Sequence, residues 1–269
     1  MAQTNVRFGD EASDTTKIGQ LLDAASHERL LSPEARVAYF AKAFVGIPYA
    51  AGTLEAPEEI LTVRIDSLDC TTFVDTALAL AFTTGERRTS WRDFIYNLRR
   101  LRYRGGETAG YPSRLHYISE WIVDNRHRGN LVDATNLFPK YNYLLRTIDF
   151  MTANRDKYPA LADSANFARI KAVENGYRQH RFPYIKSADL NNKDVKKHLR
   201  QGDVVALVSS LKNLDVSHMG IIVKDSAGEP HLLHASSSAG KVEISALPLA
   251  DFMKRNRQWI GLRVIRLTD

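Results

Sequence analysis

The sequence predicts an α+β fold, helices first and an antiparallel sheet last, and three observations predict it. Apolar residues recur at three- and four-residue spacing in the first half, as in Phe73, Val74, Ala77, Leu78 and Ala81. Short apolar runs joined by Gly-containing turns fill the chain after about residue 200. The two patterns are segregated along the chain rather than alternating, which argues against a parallel α/β sheet.

In order, residues 1–14 are polar and read as a flexible N-terminus. The start Met1-Ala2-Gln3-Thr4-Asn5 reads as a mature terminus behind an added Met. Thr15 or Thr16 is expected to cap a helix to about His27, with Ile18, Leu21, Leu22 and Ala25 on one face. Ser32-Pro33-Glu34 starts a second helix by cap, proline and first-turn acid, and Gly46 stops it. An irregular segment from Gly46 to Glu55 precedes a short strand, Leu61–Ile65. Asp69 caps the helix that Cys70 opens. Ser90 caps another, ending in the basic cluster Arg99–Arg104. Ser113 is expected to cap a helix through Leu115, Ile118, Trp121 and Ile122. Residues 136–159 are ambiguous between states, and Ser164–Tyr177 reads as helix. The strands 204–208, 219–223, 231–235, 242–244 and 260–267 complete an antiparallel meander.

Apolar residues at 44% and charged residues at 25% are globular values, and no linker divides residues 15–269, read as one domain. One cysteine excludes an internal disulfide. A formal charge of +6 admits an anionic polymer, nucleic acid or membrane surface as partner, but an ordinary basic surface explains it as well. No apolar run approaches membrane-spanning length and no charged-then-apolar signal-peptide pattern is present in the sequence.

Cys70 is the residue with chemical promise. In the first helical turn, unpaired amides and the helix dipole favour a thiolate, while the Asp69 carboxylate opposes it. The sequence leaves the sign of that competition open, and a buried structural cysteine is the alternative. A nucleophile needs a base and an orienting group. His218 lies on a strand with Gly220 on the same face, expected to leave open space beside the imidazole. His234 lies on the next strand, within side-by-side reach. A zinc ion held by Cys70, His218 and His234 is a competing arrangement.

The ordered set Gly46-Ile47-Pro48-Tyr49, Asp69-Cys70-Thr71-Thr72-Phe73-Val74, Gly202-Asp203-Val204-Val205, His218-Met219-Gly220-Ile221 and Leu233-His234-Ala235-Ser236 resembles the NlpC/p60 superfamily of cell-wall cysteine peptidases. Thr71-Thr72 in place of Ser-Gly and a long insertion, about residues 86–200, resemble its N-acetylmuramoyl-L-alanine amidase-like branch. Ala51-Gly52-Thr53-Leu54-Glu55 and Ser113-Arg114-Leu115-His116-Tyr117-Ile118-Ser119 are similar to that branch's own signatures.

The resemblance implies a papain-like fold with Cys70 as nucleophile, His218 as base and His234 as its orienter. It implies an oxyanion hole from the Cys70 amide and the Tyr49 hydroxyl. Arg114, His116 and Tyr117, with Asp215 near the base, become candidates for substrate contact. The implied substrates are muropeptides, cut between N-acetylmuramic acid and L-Ala in a bacterial, extracytoplasmic compartment reached by an export signal absent from this chain. No cofactor, structural metal, nucleic acid or membrane insertion is implied, and the expected state is a monomer. A γ-D-glutamyl-diamino-acid endopeptidase is the close alternative, and a non-catalytic wall-binding module the remote one.

Overall fold

The structure, a computed structural model, describes residues 5–28, 30 and 32–268. The first elements are β1 (Val6–Phe8), α1 (Glu11–Ser26), α2 (Pro33–Ala43), β2 (Leu61–Val63), α3 (Cys70–Gly85), α4 (Trp91–Arg102) and α5 (Ile118–His127). The expected loose N-terminus falls partly on residues 1–4, outside the described residues. From Val6 the chain is paired: β1 runs parallel to β2, Val6 opposite Leu61. α1 also starts earlier than the threonines suggested, because Asp10 caps it by accepting from the Ser13 N–H. The buried Asp14 then accepts from the Ile65 N–H at 3.0 Å, tying α1 to the approach to α3.

The middle of the chain holds β3 (Leu131–Asp133), β4 (Tyr141–Arg146), α6 (Phe150–Ala153), α7 (Ser164–Gly176), β5 (His180–Lys186) and α8 (Lys193–His198). Ser113 caps no helix. It sits in a 3-10 turn, Tyr111–Ser113, its hydroxyl donating to Gly110 O at 2.7 Å. α5 begins later and has no side-chain cap from its own N-cap residue. Its first turn is satisfied instead by Asp215, whose carboxylate accepts from the Ser119 N–H at 2.5 Å. Tyr111, Tyr117, Ile148, Met151, Leu161 and Ile170 form a separate small core here.

The last part supplies β6 (Val204–Ser209), β7 (Val216–Lys224), β8 (Pro230–Ser236), β9 (Lys241–Ile244), α9 (Leu249–Lys254) and β10 (Trp259–Leu267). The sheet runs β4-β5-β10-β6-β7-β8-β9, with β3 also on β10, and its pairings are antiparallel. The meander therefore holds from β6 to β9 but not to the end: β10 crosses back past α9 to pair with β6. One sheet face, with Ala206, Met219, Ile221, Leu233 and Ala235, shares a core with α1–α4. The other, with Leu207, Ile222, Leu232 and Leu262, is covered by α8 and α9 through Val195, Leu249 and Met253.

Candidate active site

Cys70 is the first residue of α3, where a backbone N–H has no acceptor within the helix. A reciprocal capping box fixes that turn. Thr72 N–H donates to Asp69 Oδ1 at 2.7 Å and Asp69 N–H donates to Thr72 Oγ1 at 2.8 Å. Cys70 is of intermediate exposure and its Sγ lies 3.9 Å from Thr71 Oγ1. Burial of the thiol, then the Asp69 carboxylate, push its pKa up to about 11. Hydrogen bonding with the backbone at Met219 and with Thr71 opposes the shift without reversing it. The competition left open by the sequence thus resolves toward a resting thiol, and Sγ is placed against the backbone of the residue next to His218.

Tyr49 is stitched beside the same turn. Its N–H donates to Gly240 O at 2.8 Å, while Leu68 bonds the residues on either side of it, accepting from the Ala50 N–H and donating its own N–H to Pro48 O. Burial raises the phenol's pKa first, then the nearby Cys70 and Asp69.

His218 and His234 meet directly. His218 Nε2 lies 2.8 Å from His234 Nδ1, with the ring planes at 90°. Nδ1 is thus the nitrogen of His218 left to exchange a proton elsewhere. Burial, then His234, lowers the pKa of His218 to about 3, and burial lowers that of His234 to about 4. Two irregularities in strand pairing serve this corner. Ser217 is unpaired between Val216 opposite Val208 and His218 opposite Leu207. Ile260 is unpaired between Trp259 opposite Ser209 and Gly261 opposite Val208. Such bulges re-aim neighbouring side chains. Here they flank His218 and Trp259, whose rings stack at 18° and 5.8 Å.

The open space expected beside His218 is absent. A Cβ on Gly220 would meet Leu232 Cδ1 at 2.7 Å and Leu233 O at 2.8 Å. The missing side chain is what lets β8 lie this close to β7. Sequence reasoning also passed over Phe252 and Trp259. Phe252 meets His234 edge-on at 5.2 Å and stacks on Trp259 at 5.2 Å. The only available signal was an aromatic residue at the head of the last apolar run, and the bulge at Ile260 disguised where that strand begins.

The insertion's candidates are engaged internally. Arg114 is buried, with Nη2 donating to Glu55 at 2.7 Å, Nε 3.4 Å from Glu59 and its guanidinium over Tyr111. His116 Nε2 lies 2.9 Å from Tyr111 O, and burial lowers the ring's pKa to about 3. Tyr117 OH donates to Glu174 at 2.8 Å and accepts from the Met151 N–H at 2.7 Å. Asp215 is buried beneath α5. Among the described residues no three His, Cys, Asp or Glu side chains are grouped to hold a metal ion.

Residues 39–262 match the model of the AmiA-like family, described as N-acetylmuramoyl-L-alanine amidase-like. A crystal structure of an N-acetylmuramoyl-L-alanine amidase from Bacteroides uniformis is similar at TM-score 0.83 and 33% identity, over 88% of this chain and 99% of that one. A putative xylanase from Bacteroides fragilis is similar at TM-score 0.78 and 37% identity, over 85% and 99%. A Legionella pneumophila protein shares the fold at TM-score 0.74 and 22% identity, over 96% of each chain. No curated protein matches.

Proposed function

The chain belongs to the N-acetylmuramoyl-L-alanine amidase-like family, and from that premise we propose that it hydrolyses the amide between N-acetylmuramic acid and L-Ala of muropeptides by a cysteine mechanism of the NlpC/p60 type. The observation that carries the reading is the His218 Nε2–His234 Nδ1 contact of 2.8 Å on β7 and β8, next to the strand residue that Cys70 reaches.

His218 accepts the thiol proton at Nδ1 only when Nε2 carries the ring hydrogen and donates it to His234 Nδ1. His234 then holds the productive tautomer in place. The Cys70 sulfur attacks the lactyl carbonyl as its proton moves to His218 Nδ1. The oxyanion is received by the Cys70 N–H and the Tyr49 hydroxyl. Collapse breaks the C–N bond, and His218 returns the proton to the departing L-Ala nitrogen. Water, deprotonated by His218, then cleaves the thioester, releasing the lactyl carboxylate and the Cys70 thiol. A resting pair of neutral groups fits this order, since charge separation develops only with the carbonyl in position.

Arg114, His116, Tyr117 and Asp215 act in this scheme by holding the insertion as a wall beside the cleft. Substrate enters an extracytoplasmic, single-domain monomer, and binding of the sugar aligns the amide on Cys70. A digest of disaccharide-tripeptide followed by mass spectrometry tests the reading. Free disaccharide and a peptide beginning with L-Ala are expected, and Cys70→Ala should yield neither. A product of disaccharide-L-Ala-D-Glu would establish the endopeptidase instead.

A further inference from the structure

We propose that Trp259 and Phe252 are positioning residues that hold the His218–His234 pair in its working geometry by closing a ring of four aromatic side chains. The proposal rests on the reading of His218 as base. The circuit is complete. His218 meets His234 at 4.9 Å between centroids, His234 meets Phe252 at 5.2 Å, Phe252 meets Trp259 at 5.2 Å, and Trp259 meets His218 at 5.8 Å. The two contacts made by His234 are edge-on, at 90° and 65°, and the two made by Trp259 are near-parallel, at 22° and 18°. Edge-on and offset-parallel arrangements are the favoured ones for aromatic rings.

The need for such a bracket comes from the hydrogen bonding. An orienting imidazole is ordinarily fixed from behind by an acceptor on its second nitrogen. Here His234 Nε2 is buried and has no hydrogen-bond partner. His234 is 4% exposed, so no solvent shell orients it. Packing must do that work, and Phe252 is the ring against it. On the other side, the Trp259 face lies flat on His218. An imidazolium formed when His218 takes the thiol proton is met there by the negative face of the indole.

Delivery of both rings is specific. Trp259 stands at the bulge in β10, its carbonyl accepting from Ser187 Oγ at 2.7 Å and its N–H donating to Asn256 O at 3.0 Å. Phe252 comes from α9, anchored by the buried Leu249 and Met253. Both rings are only partly buried, at the edge of the core rather than inside it. Their replacement therefore opens no deep cavity.

Trp259→Leu, Phe252→Leu and Trp259→Phe in the full chain test this, after a thermal melt shows each is folded. Nitrogen-15 spectra of the imidazoles read the geometry without substrate. The wild type should show one tautomer each for His218 and His234, and both leucine variants a mixture. On muropeptide, kcat should fall on the order of 10- to 100-fold with KM within about twofold, the scale of a misplaced catalytic group. Trp259→Phe should recover most of the loss. The double leucine variant should be little worse than either single one, because the rings act as a unit. Unchanged tautomers and unchanged kcat in the leucine variants would overturn the proposal, as would a Trp259→Phe no better than Trp259→Leu. Should Trp259→Leu not fold, Phe252→Leu carries the same two readouts. A wild type inactive on muropeptide, with the tautomer change still seen in the leucine variants, would refute the amidase reading while leaving the bracket in place.

Discussion

Replacing Asp75 with Leu removes one half of an ion pair lying deep between two helices. Arg102 Nε stands 3.0 Å from Asp75 Oδ2, and the two side chains are 4% and 2% exposed. Arg102 Nη1 also donates to Thr62 O at 2.7 Å, so one guanidinium joins α3, α4 and β2. Without Asp75 that buried cation loses its hydrogen-bonded carboxylate and keeps only the electrostatic influence of Glu59, a loss of roughly 3–5 kcal/mol. At about 2–4 °C per kcal/mol for a chain of this size, Tm should drop by roughly 6–20 °C. The double variant Asp75→Leu/Arg102→Met discriminates the cause. Apolar replacements of similar volume often match a buried pair, so most of the loss should return. The remainder should be roughly 1–3 kcal/mol, because Thr62 O then lacks its donor. Thermal and urea melts followed by circular dichroism measure both variants. A double variant no more stable than Asp75→Leu would refute the reasoning, since it would trace the loss to shape rather than stranded charge.

Three further outcomes are expected. Asp69→Asn keeps an equally good N-cap but removes the carboxylate that raises the Cys70 pKa; melts should barely move while iodoacetamide labels Cys70 faster, and an unchanged rate would count against it. Alkylation of wild-type Cys70 should be slow at pH 7 and climb toward about pH 11, so a rate already at plateau near neutrality would contradict the raised thiol pKa. Burial holds His116 and His218 at about 3 and His234 at about 4, below the ordinary 6.5. The unfolded chain thus binds more protons between those values, and stability should be full above pH 6.5 and decline as pH falls toward 3; acid melts of wild type and His116→Asn, with a shallower decline in the variant, check the sign.

The parts of the fold written locally were legible. Asp69 and Thr72 announce the start of α3 within four residues, and the apolar stripe from Phe73 to Ala81 lies buried, in a helix whose residues are all buried from Thr72 to Thr83. The strands from Val204 to Ile244 were bounded by their own turns. What failed to read was non-local. Tyr141, Tyr143 and Leu145 point outward on the edge strand β4, so its alternation carries no buried face. β5 contains Pro183, which demotes any strand reading. The helix start at Ile118 depends on a carboxylate far along the chain. At the candidate site, the pairing of His218 with His234 was visible as two strands one turn apart. The rings of Phe252 and Trp259 were not, because a helix and a bulge from a later crossing bring them in.

Asp215 also sets an order of events. The α5 amide it receives is 96 residues upstream, and Asp215 itself stands three residues before His218. On a growing polypeptide, α5 emerges long before its N-terminal anchor exists, so its first turn stays frayed until β7 docks. Pulsed hydrogen exchange during refolding should show the Ser119 amide protected no earlier than that of Met219. Protection of Ser119 first would mean that α5 finds its start unaided.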